Sequence, residues 1–290
     1  MKILCSFVAL ITLFSMAAQS DNHRIEDAEI TATHVKGPIH MLMGRGGNIA
    51  VSVGDDGMLI VDNEFAVLTG KVQAALKGIS EKPLVFVLNT HHHGDHTGGN
   101  AVFGANAHII AHENVRKRLS RPKKHDPNTL PIVTYADSAS VHFNGEEIKL
   151  IHFPNGHTDS DSVIFFKGSN VAHMGDLLFT TSFPSFYPFE NGSINGYVKN
   201  VGDVLELLDD DTLIIAGHGR LATKADVKAF HEMMVGTVQY IKDQLDNGAT
   251  LEAAKQKGLP VEYHKWSSDY TSVDEWIGKV YGDLKPKRTR

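Results

Sequence analysis

Apolar residues fall into short stretches along most of the chain, and their spacing predicts strands and helices in alternation. Strands are expected at 40–43, 48–53 and 58–61, with the Asp55-Asp56-Gly57 turn before the third. Helical spacing follows at 67–77. The uninterrupted apolar run at 84–88 predicts a strand that is buried on both faces.

A second round of elements repeats this order. A short helix at 99–103, a strand at 108–111 and a helix from 112 lead into a long loop at 120–136. Beyond it the pattern predicts strands at 140–143, 147–153, 162–166, 171–174 and 212–216, and helices at 195–208, 224–246 and 272–284. Two such rounds favour an α/β fold with two sheets packed face to face and helices outside. No stretch resembles a linker, so 21–290 is expected to form a single domain.

The first twenty residues have the pattern of a signal peptide. Lys2 is followed by an apolar run at 3–16 and by small residues at 17–20. The run is short for a membrane-spanning helix, which needs about 20 apolar residues. We therefore expect 1–20 to be removed on export, leaving a periplasmic or secreted protein without a membrane segment.

The composition of the chain excludes some classes of partner and of catalytic group. The net charge is −6 and no basic stripe is present, which argues against a nucleic-acid partner. The only cysteine, Cys5, lies in the predicted signal peptide, so the mature chain has no thiol ligand and no thiol nucleophile. A small molecule is the expected partner, and the sequence does not indicate an oligomeric state.

A histidine-rich segment follows the buried strand directly. In an extended stretch alternate side chains share a side, so His91 and His93 are expected to point together. Gly94 allows a sharp turn, after which Asp95 and His96 can reach a second point nearby. Two imidazoles beside a carboxylate and a further imidazole are typical of a site for two metal ions.

Three later positions complete the pattern. His157, Asp176 and His218 each follow a glycine just beyond a predicted strand. Each alone would more often be an ordinary turn residue. Together with the first segment they make five histidines and two aspartates, which is enough for two ions with about three protein ligands each.

This succession of motifs resembles the metallo-β-lactamase superfamily. The chain reads H-x-H-x-D-H, then Gly-His-Thr, Gly-Asp and Gly-His-Gly, in that order and over roughly 39–230. The resemblance implies a four-layer αββα sandwich of two mixed β-sheets. It also implies one metal ion on His91, His93 and His157, a second on Asp95, His96 and His218, and a bridging Asp176.

The resemblance further implies a hydrolase. Two ions, expected to be Zn²⁺ with Mn or Fe as alternatives, would share a hydroxide that attacks an amide or ester carbonyl. Asp95 would orient that hydroxide, so Asp95 and Asp176 are the expected catalytic residues. Related diiron oxidoreductases carry a glutamate where this chain has His93, which disfavours a redox or purely metal-binding protein.

This chain differs from known subgroups of the superfamily at positions that bear on the identity of the substrate. One group of true β-lactamases has cysteine in place of Asp176 and a lysine three residues later, where this chain has Phe179. Another group lacks the bridging aspartate. The complete set is more similar to that of glyoxalase II thioesterases and lactonases.

Predicted export nevertheless favours a β-lactam-type cyclic amide as the leading substrate, since β-lactams act outside the inner membrane. A lactone or a glyoxalase II-like thioester is the alternative. Arg45 is the candidate for holding a substrate carboxylate. Phe183 and Tyr187 are candidates for an apolar pocket wall, although that stretch fits core packing equally well.

Overall fold

Two mixed sheets form the centre of the computed structural model, which describes residues 24–121 and 126–286. The predicted signal peptide at 1–20 lies outside these residues. The first sheet has its strands side by side in chain order, antiparallel from β1 to β4 and parallel from β4 to β7. These strands are β1 (Thr31–Lys36), β2 (Ile39–Met43), β3 (Ile49–Gly54), β4 (Gly57–Val61), β5 (Leu84–Asn89), β6 (His108–His112) and β7 (Val133–Tyr135).

The second sheet has the order β13-β12-β11-β10-β9-β8. Only β11 and β12 are parallel, and the other neighbours are antiparallel. Its strands are β8 (Ser138–Phe143), β9 (Glu146–His152), β10 (Ser162–Phe166), β11 (Val171–His173), β12 (Leu213–Ile215) and β13 (Ala222–Thr223).

Helices cover the outer faces of the two sheets. They are α1 (Thr69–Ile79), α2 (Gly94–Thr97), α3 (Asn100–Phe103), α4 (Glu113–Leu119), α5 (Ile194–Leu207), α6 (Lys224–Asp246), α7 (Leu251–Lys257) and α8 (Val273–Leu284). The longest, α6, begins with a capping box between Thr223 and Asp226, which satisfies free backbone donors at its first turn. None of the helices in the described ranges has the length and apolar character that a membrane crossing requires.

The side chains of the central strands alternate between faces and pack into three apolar layers. In β4, Leu59 and Val61 pack between the sheets, whereas Met58 and Ile60 pack beneath α1 and α3. In β10, alternate residues likewise divide between the layer shared by the sheets and the layer beneath α5, α6 and α8. The order helix, sheet, sheet, helix confirms the predicted αββα sandwich.

Most predicted elements are present, and the elements that were not predicted are short or exposed. The edge strand β1 has a largely exposed pattern, so it has no apolar alternation to detect. The edge strand β7 has three residues and lies inside the stretch predicted as a loop. Neither error affects the candidate site, because both strands lie at the margins of the first sheet.

Candidate metal centre

All seven predicted ligands lie in the segments that follow strands, with Asp95 and His96 in the short helix α2 and Asp176 in a 3-10 turn. The segment with His91, His93, Asp95 and His96 follows β5 in the first sheet. The second sheet supplies the other three residues, after β9, β11 and β12. These segments meet at one edge of the sandwich, so the fold brings together residues that are up to 127 positions apart, from His91 to His218.

The first group of donors consists of His91, His93 and His157. The Nδ1 atom of His93 lies 3.1 Å from His91 Nε2 and 2.9 Å from His157 Nε2. His91 and His157 are each only 1% exposed, whereas the side chain of His93 is 19% exposed. Three ring nitrogens therefore converge on one point, as the resemblance implied.

The second group consists of Asp95, His96 and His218. The Oδ2 atom of Asp95 lies 3.3 Å from His218 Nε2 and 3.6 Å from His96 Nε2. His96 is fully buried, but the side chains of Asp95 and His218 are 21% and 28% exposed. The open side of the centre is therefore next to Asp95 and His218.

Asp176 lies between the two groups. Its Oδ2 is 3.3 Å from His157 Nε2 and 3.9 Å from His91 Nε2. Its Oδ1 is 3.1 Å from His96 Nε2 and 3.2 Å from His218 Nε2. One carboxylate thus turns one oxygen toward each group, which is the arrangement needed to bridge two ions.

Glycine is required where backbone passes against the donors. A Cβ atom at Gly217 would collide with Asp176 Oδ1, and a Cβ atom at Gly47 would collide with the His96 ring. Gly47 also donates its N–H to the backbone oxygen of Asp95 at 3.1 Å. The loop at 44–47 is therefore packed directly on the second group.

Hydrogen bonds to Asp62 fix the His96 ring directly and the His91 ring through Thr90. The Nδ1–H of His96 donates to Asp62 Oδ2 at 2.7 Å. Thr90 Oγ1 donates to the same oxygen at 2.7 Å and lies 3.0 Å from His91 Nδ1. His91 Nδ1 must therefore be the donor to Thr90, which leaves the Nε2 atoms of both rings as the free lone pairs.

The loop at 183–192 fixes the other two rings of the first group. His157 Nδ1–H donates to the backbone oxygen of Ser185 at 2.7 Å, so its Nε2 carries a lone pair. His93 Nε2–H donates to Glu190 Oε2 at 2.7 Å, so its Nδ1 carries a lone pair. Each ring is oriented by a partner on its far side, as is usual for metal-binding histidines.

These tautomers test whether the site fits a cation. With all three protons on the far sides, the nitrogen contacts of 2.9–3.1 Å in the first group cannot be hydrogen bonds, because lone pairs face one another. The same spacing is close to the edge of about 3.4 Å in a tetrahedron with metal–nitrogen bonds of about 2.1 Å. His96 Nε2 and Asp176 Oδ1 are also buried and lie 3.1 Å apart, but neither atom has a hydrogen bond of good geometry among the described residues. The donor set therefore fits divalent metal ions.

The electrostatics of the two groups differ. Burial lowers the pKa of His91 well below its usual value and that of His157 to about 4, so these rings are neutral. Burial also opposes charge on His96, but Asp176, Asp95 and Asp62 outweigh it and raise its pKa. The pKa of His218 is raised to about 9, since Asp176 and Asp95 outweigh its burial. The carboxylates around the second group thus favour positive charge there.

Arg45 lies in the loop at 44–47, beside the glycines that pack against Asp95 and His96. Arg45 is exposed, and its guanidinium carbon lies 5.8 Å from the centre of the Tyr270 ring. The N–H of its neighbour Gly46 donates to the two carboxylate oxygens of Glu64 at 2.9 and 3.0 Å, and these hydrogen bonds anchor the loop. This position is compatible with the predicted contact to an anionic substrate.

The two residues predicted to form a pocket wall, Phe183 and Tyr187, lie in different environments. Tyr187 is half-buried, with its ring centre 4.7 Å from that of His93 and 5.2 Å from that of His157. Phe183 is 1% exposed and stacks on Trp276 at 5.3 Å, inside the apolar layer beneath the helices. Phe183 therefore packs in the core and not against a substrate, and only Tyr187 remains a candidate for the wall.

The orienting residues Asp62 and Glu190 are not among the residues predicted from the sequence. Asp62 directly follows β4, just as the ligands lie beyond the ends of their strands, and it is fully buried with a φ of 64°. A non-glycine residue with positive φ is uncommon and often marks a functional site. Glu190 had no comparable signal, because its loop has no periodicity.

Comparison with known proteins supports this reading of the site. A family model described as the metallo-beta-lactamase superfamily matches residues 44–218, which include all seven candidate ligands. Among solved structures, the DIM-1 metallo-beta-lactamase has a TM-score of 0.62 and 19% identity, and the match covers 71% of this chain and 97% of that one. That identity establishes likeness of fold alone.

Two curated relatives match over shorter stretches. The 2,4-dinitroanisole O-demethylase subunit alpha of Nocardioides sp. (strain JS1661) is 24% identical over 69% of this chain and 60% of its own length. A hydroxyacylglutathione hydrolase of Prochlorococcus marinus (strain MIT 9301) is 30% identical over 46% of this chain and 50% of its own length. The chain thus spans 50–60% of the length of these relatives.

Proposed function

Since the chain belongs to the metallo-beta-lactamase superfamily, we propose that it is a hydrolase with two divalent metal ions that cleaves an ester, thioester or amide carbonyl. The observation that carries this proposal is the position of Asp176, whose two oxygens face the two donor groups separately. A single-ion site would not need a buried carboxylate shared in this way.

Zinc is the simplest occupant of the two groups. Imidazole and carboxylate donors suit Zn²⁺, and the two aspartates also allow Mn or Fe. Ions of this kind polarise a carbonyl oxygen and lower the pKa of a water molecule toward 7. A diiron redox protein is a weaker proposal, because a glutamate is expected at the position of His93.

Asp95 is the residue proposed to handle the proton. Its carboxylate is partly exposed on the open side of the centre, with Oδ2 3.3 Å from His218 Nε2. From there Asp95 Oδ2 accepts a hydrogen bond from the attacking water and takes up its proton. Tyr187 lies beside the first group and limits the pocket on that side.

Esters and thioesters are the substrates we place first. The ligand set with Asp176 and the relative named hydroxyacylglutathione hydrolase support this order. Phe179 supports it as well, because its ring stacks on His218 at 5.0 Å where the β-lactamase group described above carries a lysine. From predicted export alone, the cyclic amide is expected to be the leading substrate. The ranking proposed here reverses that order.

A β-lactam-type cyclic amide is the second candidate. Its support is the signal-like pattern at 1–20 together with exposed Arg45, which could hold the carboxylate of such a molecule. We also propose, on the same N-terminal pattern, that the protein is exported and acts in the periplasm or outside the cell. Mass measurement of the chain recovered from its host would show the loss of about 20 residues.

A hydrolysis panel tests these proposals. The zinc-loaded chain is assayed with S-lactoylglutathione, an acyl lactone and nitrocefin at equal concentrations, with Asp95→Asn as the inactive control. We expect zinc-dependent turnover that is fastest on the thioester or the lactone. A higher kcat/KM on nitrocefin would support the cyclic amide instead, and no zinc-dependent turnover on any of the three would overturn the proposed hydrolase.

A further inference from the structure

Glu190 lies outside both donor groups and yet contacts one of them. It ends the short 3-10 turn Pro188–Glu190, and its Oε2 accepts the 2.7 Å hydrogen bond from His93 Nε2–H. The same oxygen lies 3.3 Å from His92 Nε2, an atom that is buried without another partner among the described residues. The Nδ1 atom of His92 is in turn 2.8 Å from Ser160 Oγ.

We infer that Glu190 is a positioning residue for the metal centre, which fixes the ring and the tautomer of His93 so that Nδ1 is its ligand atom. The inference rests on the proposed metal centre. A neutral imidazole with Nε2–H bound to a carboxylate has its lone pair on Nδ1, and that atom is the one that faces His91 and His157. The negative carboxylate also makes the ring a stronger donor to a metal ion.

Three hydrogen-bonded residues, Asn191, Asp159 and Arg118, form a bracket that holds the turn that carries Glu190. The next residue, Asn191, has a left-handed backbone with φ of 59°, and its Nδ2 donates to Asp159 Oδ2 at 3.0 Å. Asp159 forms two 2.7 Å hydrogen bonds with Arg118, whose side chain is 5% exposed. A paired guanidinium and carboxylate of this kind fix geometry well, because two parallel bonds restrict rotation.

The bracket connects α4 to the metal centre. Arg118 lies in the last turn of α4, and Asn114 at the start of that helix donates to the backbone oxygen of Asp159 at 2.8 Å. The helix therefore holds Asp159 at both its backbone and its side chain. Without this connection Asn191 and Glu190 would depend on an aperiodic loop for their positions.

The experiment compares Glu190→Gln and Glu190→Ala with the unchanged protein. Zinc affinity is measured by competition with a chromophoric chelator, and the visible spectrum is recorded with Co²⁺ in place of zinc. Glu190→Gln keeps the size and one acceptor but removes the charge, whereas Glu190→Ala removes both. Glu206→Gln, which removes an exposed carboxylate from α5, is the matched control.

We expect one of the two zinc sites to weaken by roughly 10–100-fold in Glu190→Gln and at least as much in Glu190→Ala, with the other site nearly unchanged. The Co²⁺ spectrum should change in both variants, and Glu206→Gln should match the unchanged protein. The melting temperature of the metal-free chain should stay the same, which separates positioning from a general structural role.

Three results would overturn the inference. Equal zinc affinities in all four proteins would show that Glu190 does not position His93. Three zinc ions in the unchanged protein and two in Glu190→Gln would make Glu190 a ligand in its own right. No zinc binding by the unchanged protein would overturn the metal centre itself, which is a different failure from that of Glu190 alone.

Discussion

Within residues 24–121 and 126–286, histidines from the two sheets meet at the metal centre and at a stacked pair. The pair consists of His112 at the end of β6 and His152 at the end of β9, with ring centres 3.6 Å apart and planes within 10°. Both places join the sheets, but in the described residues carboxylate oxygens lie close to the ring nitrogens at the metal centre and not at the stack.

The partners of the rings explain the difference. His112 Nδ1 accepts the backbone N–H of Asn114 at 3.2 Å, and His152 Nδ1 lies 2.8 Å from the backbone oxygen of Asp161. Burial and the neighbouring His152 lower the pKa of His112 to about 4, and burial lowers that of His152. The two stacked rings, whose partners are backbone groups, are therefore neutral. At the metal centre, by contrast, the carboxylates of Asp176, Asp95 and Asp62 favour positive charge.

The largest expected effect comes from Asp176→Asn. The amide has no negative charge to share between the groups, so both lose their common ligand. We expect hydrolysis to fall to the background rate, a larger loss than the roughly 10–100-fold of an outer partner. The measurement is kcat/KM on the best substrate of the panel. A loss of less than tenfold would show that the two groups do not need a bridge.

Asp95→Asn is expected to have the next largest effect. It removes the proposed proton acceptor and one donor of the second group but leaves the first group complete. The rate should fall by roughly 10²–10⁴-fold, as for loss of a general base. Single-turnover kinetics at saturating zinc would check this, and a rate unchanged under those conditions would remove Asp95 from the chemistry.

Removal of the metal should lower the Tm of the folded chain, and the metal centre, not the stack, should account for this loss. Zinc at about 1,000 times its Kd stabilises the folded chain by about 4 kcal/mol, which corresponds to roughly 8–16 °C in Tm. Differential scanning calorimetry with and without a chelator measures the shift. His112→Asn should show the same shift as the unchanged protein, since the stack is not a metal site. Equal Tm values with and without chelator would contradict the proposed centre.

The smallest effect concerns the pH dependence of the stack. His112 has a folded pKa of about 4, below the ordinary value of 6.5, so protons bind the unfolded chain more readily. Its contribution to stability is complete above pH 6.5 and is lost as the pH falls toward 4. The loss should be about 3 kcal/mol by pH 4, because the pKa falls from 6.5 to about 4 and each pKa unit corresponds to about 1.4 kcal/mol for a buried group.

His112→Asn isolates this contribution. Asparagine keeps an acceptor for the N–H of Asn114 at the start of α4 but does not titrate. Urea unfolding of the metal-free chain between pH 7 and pH 4 should therefore show a shallower loss of free energy in the variant. If both proteins lose stability in parallel, the stack is not responsible for the acid sensitivity.

The ligands could be predicted from the sequence because each depends on local information. His91 to His96 follow a strand with an unmistakable apolar run, and His157, Asp176 and His218 each follow a glycine after a strand. The carboxyl ends of strands that run in the same direction lie at one edge of a sheet, so a correct prediction of the strands also indicated where the ligands lie.

The orienting partners could not be predicted in this way. Glu190 acts on His93 from 97 residues away, and Asp62 acts on His96 from 34 residues away. Phe183 shows the same limit, because an aromatic residue in a loop without periodicity fits a pocket wall and a core equally well. Its stacking on Trp276 of α8 depends on the packing of the finished fold.

The most direct test of the account is the metal content of the unchanged protein. The chain is loaded with zinc, freed of excess by gel filtration, and analysed for zinc and protein in the same sample. We expect two zinc ions per chain, one on each donor group, and fewer than two in Asp176→Asn. One ion or none in the unchanged protein would contradict a centre in which Asp176 joins two metal sites.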